Sequence, residues 1–160
     1  MARSAEGRKI VLRNRKARHE FHILEELEAG LVLEGGEVKS LRAGKASFTD
    51  AYATIRGGEL WLNGLHISPY ESASIDVPDP LRSRKLLVHR KELERLATRT
   101  TERGLTIVPL EVHFVRGVAK VNIGLARGKK LHDKRESLKR DVMRREVERA
   151  LRADRAGRDD

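Results

Sequence analysis

Glu111 and His113 stand two residues apart in an alternating stretch. That spacing puts both side chains on one face of a strand, as an acid/base pair would need. No second convergent group accompanies them, so a solvated outer face is the better reading and RNA hydrolysis the least favoured function. His19 and His22 are the closest histidines in the chain. Three apart, they could bind a metal from one helix face, but the stretch reads as the start of a strand, which turns them to opposite sides. With no cysteine, thiolate zinc sites, disulfides and cysteine nucleophiles are excluded, and no metal or other cofactor is expected. Two stretches have a superficial likeness to phosphate loops. Gly124 to Lys130 is one residue short between its glycines and carries Lys130 where Ser or Thr has to hold magnesium, while Gly44-Lys45 has Lys39 in place of the upstream glycine. Neither forms a nucleotide site.

The segment Gly128 to Arg135 is different. It gathers Lys129, Lys130, Lys134 and Arg135 around His132 and Asp133. Lys and Arg can track phosphates, and His132 offers a flat ring to stack on a base. Asn14 to Arg18, with Arg15, Lys16 and Arg18, forms a matching cluster near the other end. The charge of the whole chain follows the same division. Residues 1–18 carry seven basic side chains against one acid, residues 127–160 thirteen against eight, and the 108 residues between fourteen against fifteen. Cationic ends on a neutral body suit a polyanion, because each phosphate neutralised releases counterions. Nucleic acid is therefore the leading partner class. The six aromatic residues are too few for both a core and a broad base-stacking platform, so an RNA partner would be read by shape and phosphate.

The elements that must position these residues are mostly short strands. From Phe21 to Leu33 the apolar residues suit a strand with a break at Ala29-Gly30, ended by Gly35-Gly36. Glu37 to Arg42 suits one helical turn closed by Gly44. Ala51, Ala53 and Ile55 alternate with polar partners, Gly57-Gly58 can make a tight hairpin, and Leu60 and Leu62 resume the buried face. Residues 68–82 read as a loop. His89 to Arg103 reads as a helix burying Leu93, Leu96 and Ala97 and stopping at Gly104. Val108, Leu110, Val112 and Phe114 alternate along one strand, Arg116-Gly117 turns, and Ala119, Val121, Ile123 and Leu125 alternate along the next. Antiparallel strands with an inserted helix predict a small β-barrel of the OB type. A sandwich has nearly the same periodicity.

Beyond Gly128, Leu138, Val142, Val147 and Leu151 trace a thin helical stripe among charges. So thin a stripe gains little from its own packing, which predicts a tail disordered when free and helical when bound. The expected division is a basic arm over 1–18, a barrel over 19–127 and a basic tail over 128–160. No apolar run approaches the roughly 18 residues of a membrane span, and the basic start lacks a secretory apolar region. A soluble, cytoplasmic, monomeric single-domain protein with no membrane contact is expected.

Several motifs in order carry a resemblance. Gly128 to Arg135, Glu37-Val38-Lys39-Ser40-Leu41-Arg42, Glu28-Ala29-Gly30, Asn14 to Glu20, Gly58-Glu59-Leu60 with Asn63, Ile67 and Tyr70, Arg84-Lys85-Leu86-Leu87, and Lys120 are similar to those of the small protein B family, the SsrA-binding proteins of bacterial trans-translation. The resemblance spans about residues 10 to 150. It implies an adaptor and not an enzyme: an OB-type barrel that binds the tRNA-like domain of transfer-messenger RNA and supports its alanylation by alanyl-tRNA synthetase. The adaptor enters stalled ribosomes with that RNA and elongation factor Tu, its barrel replacing the missing anticodon arm and its tail lying in the mRNA channel. By motif, Asn14, Glu28, Lys85, Leu87 and Lys120 would form the RNA-binding face, joined by Arg15, Lys16, Arg18 and Arg42. Lys129, Lys130, His132, Asp133, Lys134 and Arg135 would approach the decoding centre. Gly36 departs from the family's usual Thr or Ser, Leu131 falls at a variable position, and Ala153 to Asp160 match nothing in it. The alternative is a structural ribosomal or rRNA-binding protein of the same fold.

Overall fold

The computed structural model describes residues 7–70, 78–102, 104–129 and 131–158. Alternating apolar residues build seven antiparallel strands: β1 (Arg8–Arg13), β2 (Phe21–Leu31), β3 (Ala46–Arg56), β4 (Glu59–Ile67), β5 (Arg84–Leu87), β6 (Leu105–Val115) and β7 (Val118–Gly128). Their order is β1-β6-β3-β4-β5-β2-β7, and the additional pairing of β6 with β7 closes six of them into a barrel. The fold is therefore the OB-type barrel that the strand pattern predicts. One edge of β6 runs along β7, while the other pairs with β3 only at Ile107 and with β1 from Glu111 to Val115. Four helices attach to this frame: α1 (Arg15–Glu20), α2 (Gly35–Arg42), α3 (Arg90–Arg99) and α4 (Leu131–Arg158).

The barrel interior is filled by Leu60, Leu62, Leu65, Ile107, Val112, Val121, Ile123 and Leu125, with Leu41 of α2 and Leu96 of α3 packed into the same cluster. Each such aliphatic side chain contributes roughly 1.5–3 kcal/mol by leaving water. The two hairpins form where the sequence places them. Gly57 and Gly58 both have positive φ between β3 and β4, and so do Arg116 and Gly117 between β6 and β7, the backbone a two-residue turn of this twist requires.

Four expectations change. Residues 8–13 do not form a free arm: Val11 and Leu12, packed against the core, draw β1 onto β6, and α1 follows directly. β2 runs unbroken through Ala29-Gly30, and its irregularity lies between Ile23 and Glu25. Gly35-Gly36 open α2, where the Glu37 carboxylate accepts from the Glu34 N–H at 3.0 Å. Finally, β6 does not keep one phase. A bulge between Pro109 and Glu111 turns Leu105 and Ile107, then Val112 and Phe114, into the barrel, while Val108 and Leu110 face outward and pack with Ala17 of α1 and Ala126.

A buried ion pair fixes the strand-poor side. Arg84 is fully buried, and its Nε donates to Glu37 Oε2 at 2.7 Å while its other nitrogens donate to the carbonyls of Leu65, Arg82 and Pro80. Arg82 also binds Glu37. Burial opposes the charge on Glu37, but hydrogen bonds from Arg82, the Glu34 backbone and Arg84 outweigh it and hold the carboxyl below its ordinary value. Burial likewise lowers Arg84. The pair ties α2 to the chain that leads into β5.

Beyond β7 the chain continues into α4, whose stripe of Leu138, Val142, Met143, Val147 and Leu151 lies at least half exposed. The stripe therefore has no cover from the barrel. No helix of the described residues is long and apolar enough to cross a membrane.

Candidate nucleic-acid interface

Strand register assembles one side of the barrel. Gly30 of β2 lies opposite Leu87 of β5 and Lys120 of β7, Lys120 lies opposite His113 of β6, and His113 opposite Ile10 of β1. Directly opposed residues share a face, so Leu87, Lys120, His113 and Ile10 form one row across the outside of the barrel. Two residues back along β2, Glu28 joins the same face opposite Asn122. Gly30 makes room in the row. A Cβ there would lie 3.3 Å from the Leu87 Cβ, so the absent side chain lets Leu87 settle over β2 while remaining 53% exposed.

Glu28 is the electrostatic centre. Its Oε1 is 3.1 Å from Lys120 Nζ and its Oε2 3.1 Å from His113 Nε2. Partial burial works against the charged form, yet these two hydrogen bonds and the charges behind them keep the carboxyl below its ordinary value. Glu28 thus presents as an ionised acceptor already neutralised by Lys120, which removes most of its repulsion of phosphate. His113 is not on a solvated face as its spacing with Glu111 suggests. It is fully buried, its Nδ1 3.4 Å from Glu111 Oε1 without a hydrogen bond, and Glu111 is itself paired with Arg8. With Glu111 bound to Arg8 and His113 shut from solvent, the pair is a support for Glu28.

The basic cluster at α1 adjoins this row. Asn14 caps α1, its Oδ1 accepting from Ala17 N–H at 3.2 Å and its Nδ2 donating to the Pro109 carbonyl at 2.8 Å. Its own N–H binds Leu110. Asn14 is therefore spent on holding the helix to the β6 bulge, and acts on any RNA by setting where α1 stands. Arg13, Arg15 and Arg18 then line a cavity of about 340 Å³ together with Glu26, Glu111 and Asn122, so the cationic helix reaches the strip beside Glu28. Arg18 bridges to Glu26 at 2.7 Å.

Arg42 and Lys129 stand apart from this strip, whereas Lys85 shares the outer face of Leu87, two residues before it on β5. Lys85, opposite Trp61 on β4, is paired with Glu59 at 3.0 Å. Arg42 lies at the barrel end, over the Phe114 ring and 3.4 Å from the Gly117 carbonyl, so the Glu28 strip does not include it. Lys129 joins the tail to α1: its N–H donates to the Glu20 carbonyl at 2.8 Å and its Nζ to the Arg18 carbonyl at 3.1 Å. Lys134 and Arg135 lie in the first turns of α4. Lys130 and the side chains of His132 and Asp133 lie outside the described residues. Sequence reasoning did not select Gly30, His113 or Asn122 for the interface. The two-residue spacing of Glu28 and Gly30 is the only local signal for the first, and the other two enter through long-range register.

Fold and charge distribution fit an RNA-binding adaptor: a barrel with the Leu87, Lys120 and Glu28 strip on its outer face, a cationic helix beside it and a charged helical extension. The comparisons agree with that class. A family model described as SmpB protein matches residues 11–153. The SsrA-binding protein of Syntrophotalea carbinolica is 56% identical over 146 residues, covering 91% of this chain and 97% of its own. That of Desulforudis audaxviator is 54% identical over 152 residues, covering 95% and 98%. A solved chain described as "tmRNA-SmpB: a journey to the center of the bacterial ribosome" is 53% identical with a TM-score of 0.65, over 79% of this chain and 93% of that one. The chain belongs to the SmpB family. It is an adaptor of trans-translation and not an enzyme.

Proposed function

We propose that the Leu87–Lys120–Glu28 strip and the arginines of α1 grip the tRNA-like domain of transfer-messenger RNA, while α4 engages the decoding centre and mRNA channel of a stalled ribosome. The observation that carries this reading is the one outer face on which Leu87, Lys120 and Glu28 meet. Lys120, Arg15, Lys16 and Arg18 supply phosphate contacts, Leu87 an apolar surface for a ribose or base, and Glu28 an acceptor for ribose 2′-hydroxyls or base donors. Asn14 positions α1. Lys85 and Arg42 extend the positive surface at its margins. Lys129 and Lys130, with His132, Asp133, Lys134 and Arg135, form the ribosomal segment, His132 stacking on an rRNA base as the family resemblance implies.

The chain then works as a body over 19–127 and a tail over 128–160, with the basic residues up to 18 adding to the RNA face through β1 and α1. It acts as a monomer in the cytoplasm. Elongation factor Tu and alanyl-tRNA synthetase meet it through the RNA. A competition gel tests the assignment by offering the tRNA-like domain, an ordinary tRNA and an rRNA fragment at one stated salt concentration. Preference for the tRNA-like domain, lost in Glu28→Lys, is expected. Equal affinity for all three would favour the structural rRNA-binding alternative.

A further inference from the structure

We infer that a cavity between α1 and β3 is a binding site for a single extruded guanine of RNA. The cavity has a volume of about 390 Å³ and is lined by Lys16, Phe21, Phe48, Asp50, Tyr52 and Thr106 among others. That volume lies in the range of sites that hold small ligands, roughly 300–1,000 Å³. It shares only Asn14 with the cavity beside Glu111, so it is distinct from the Glu28 strip.

The barrel builds it at the seam. β6 has β1 on its edge from Glu111 onward and β3 only at Ile107, which leaves Thr106 and Val108 beside a gap. β3 arches away there. Phe48 pairs with Leu65 but Tyr52 with Asn63, so two more residues are spent on β3 than on β4. The arch is seated on Gly64, where a Cβ would come within 2.5 Å of the Thr49 carbonyl oxygen and 2.8 Å of the Ala51 Cα. At its crest Asp50 has φ of 46°, a left-handed conformation that non-glycine residues adopt at a cost. Such positions gather at ligand sites because only the surrounding structure holds them.

The chemistry at the mouth is unspent. Among the described residues, the side chains of Lys16, Asp50 and Tyr52 make no hydrogen bond or ion pair. Tyr52 is 46% exposed and offers a ring on which a base can stack, as unpaired RNA bases do on aromatic side chains. Lys16 suits the attached phosphate. The carboxylate form of an Asp such as Asp50 only accepts hydrogen bonds. Guanine alone among the four bases presents two adjacent donors, N1–H and N2–H, that a carboxylate can take together.

The test is amide NMR of the full chain titrated with guanosine monophosphate, inosine monophosphate, adenosine monophosphate and inorganic phosphate. Guanosine monophosphate should shift residues 16–21, 48–52 and 106–108. Inosine monophosphate, lacking the N2 amine, and adenosine monophosphate should bind about tenfold more weakly, within what a bidentate base contact is worth. Tyr52→Ala should abolish the shifts. Asp50→Asn, which keeps a residue tolerant of left-handed φ, should weaken guanosine monophosphate by about tenfold and leave the spectrum elsewhere unchanged. Shifts equal for guanosine monophosphate and inorganic phosphate, or none in this region, would overturn the proposal. Two further arms identify the source of the base: binding of Asp50→Asn to the tRNA-like domain and to small ribosomal subunits. Loss on either one supports the site and names its RNA, whereas loss on neither overturns it.

Discussion

Glu37→Gln keeps the shape of the side chain and removes the charge that faces Arg84. Arg84 has no exposed surface and Glu37 only 4%, so the guanidinium would be left buried without a counter-charge. Breaking a buried pair from one side costs roughly 3–5 kcal/mol. Arg84 keeps its bonds to the carbonyls of Leu65, Arg82 and Pro80, which places the cost near the lower end, about 3 kcal/mol. Arg82, partly exposed, adds less than about 1 kcal/mol. Against total stabilities of about 5–15 kcal/mol, that loss is large. Urea unfolding followed through the single tryptophan, Trp61, should show the midpoint falling by about 1–3 M for a slope of roughly 1–3 kcal/mol/M. The pH dependence gives a second readout. Because the folded-state pKa of Glu37 is depressed, its contribution is present above the unfolded value, near 4.3, and is lost as pH falls through the lower folded value. Glu37→Gln should lack that acid-side phase. A destabilisation under about 1 kcal/mol, with the acid-side loss intact, would mean that the Glu37 charge does not support the buried Arg84.

Four further outcomes follow from the same geometry. Lys120→Gln should weaken binding of the tRNA-like domain and lower the slope of log K against log salt by about 1; an unchanged slope would remove Lys120 from the phosphate contacts. A double-mutant cycle of Lys120→Gln with Glu28→Gln should give a stability coupling below about 1 kcal/mol, since both groups are about one-third exposed. Gly64→Ala, at φ of 82° and with no room against Thr49 and Ala51, should destabilise the chain by at least about 2 kcal/mol in the same urea experiment, and tolerance would show that the arch is not seated there. Gly30→Val should displace Leu87 and weaken RNA binding, measured by gel shift; full affinity would exclude the Leu87 surface.

The hairpins were legible because each rests on a local requirement. Gly57-Gly58 and Arg116-Gly117 stand between alternating strands, where positive φ at both residues is what the turn needs. β1 was hidden because Arg8, Lys9 and Arg13 surround only three apolar residues, a pattern shared with any basic arm. The phase of β6 was misread for a related reason. Val108 through Phe114 alternate without interruption in the sequence, and only the bulge at Pro109–Glu111 reveals that two of these residues face α1. His113 looked exposed because nothing local says that this face is closed over. Glu37 and Arg84 lie 47 positions apart, beyond any periodicity. At the site, the residues Glu28, Leu87 and Lys120 came from motifs, but their meeting depends on the pairings of β2 with β5 and β7, which no short stretch encodes. The cationic segments, by contrast, are visible in charge alone.

In the function proposed above, RNA capture belongs to the barrel and ribosome engagement to the helical extension. The most direct measurement takes the chain ended at Gly128 and compares, in parallel, its binding to the tRNA-like domain and its support of peptide tagging on stalled ribosomes. Binding should persist while tagging is lost. Loss of both together, or tagging that survives without α4, would contradict it.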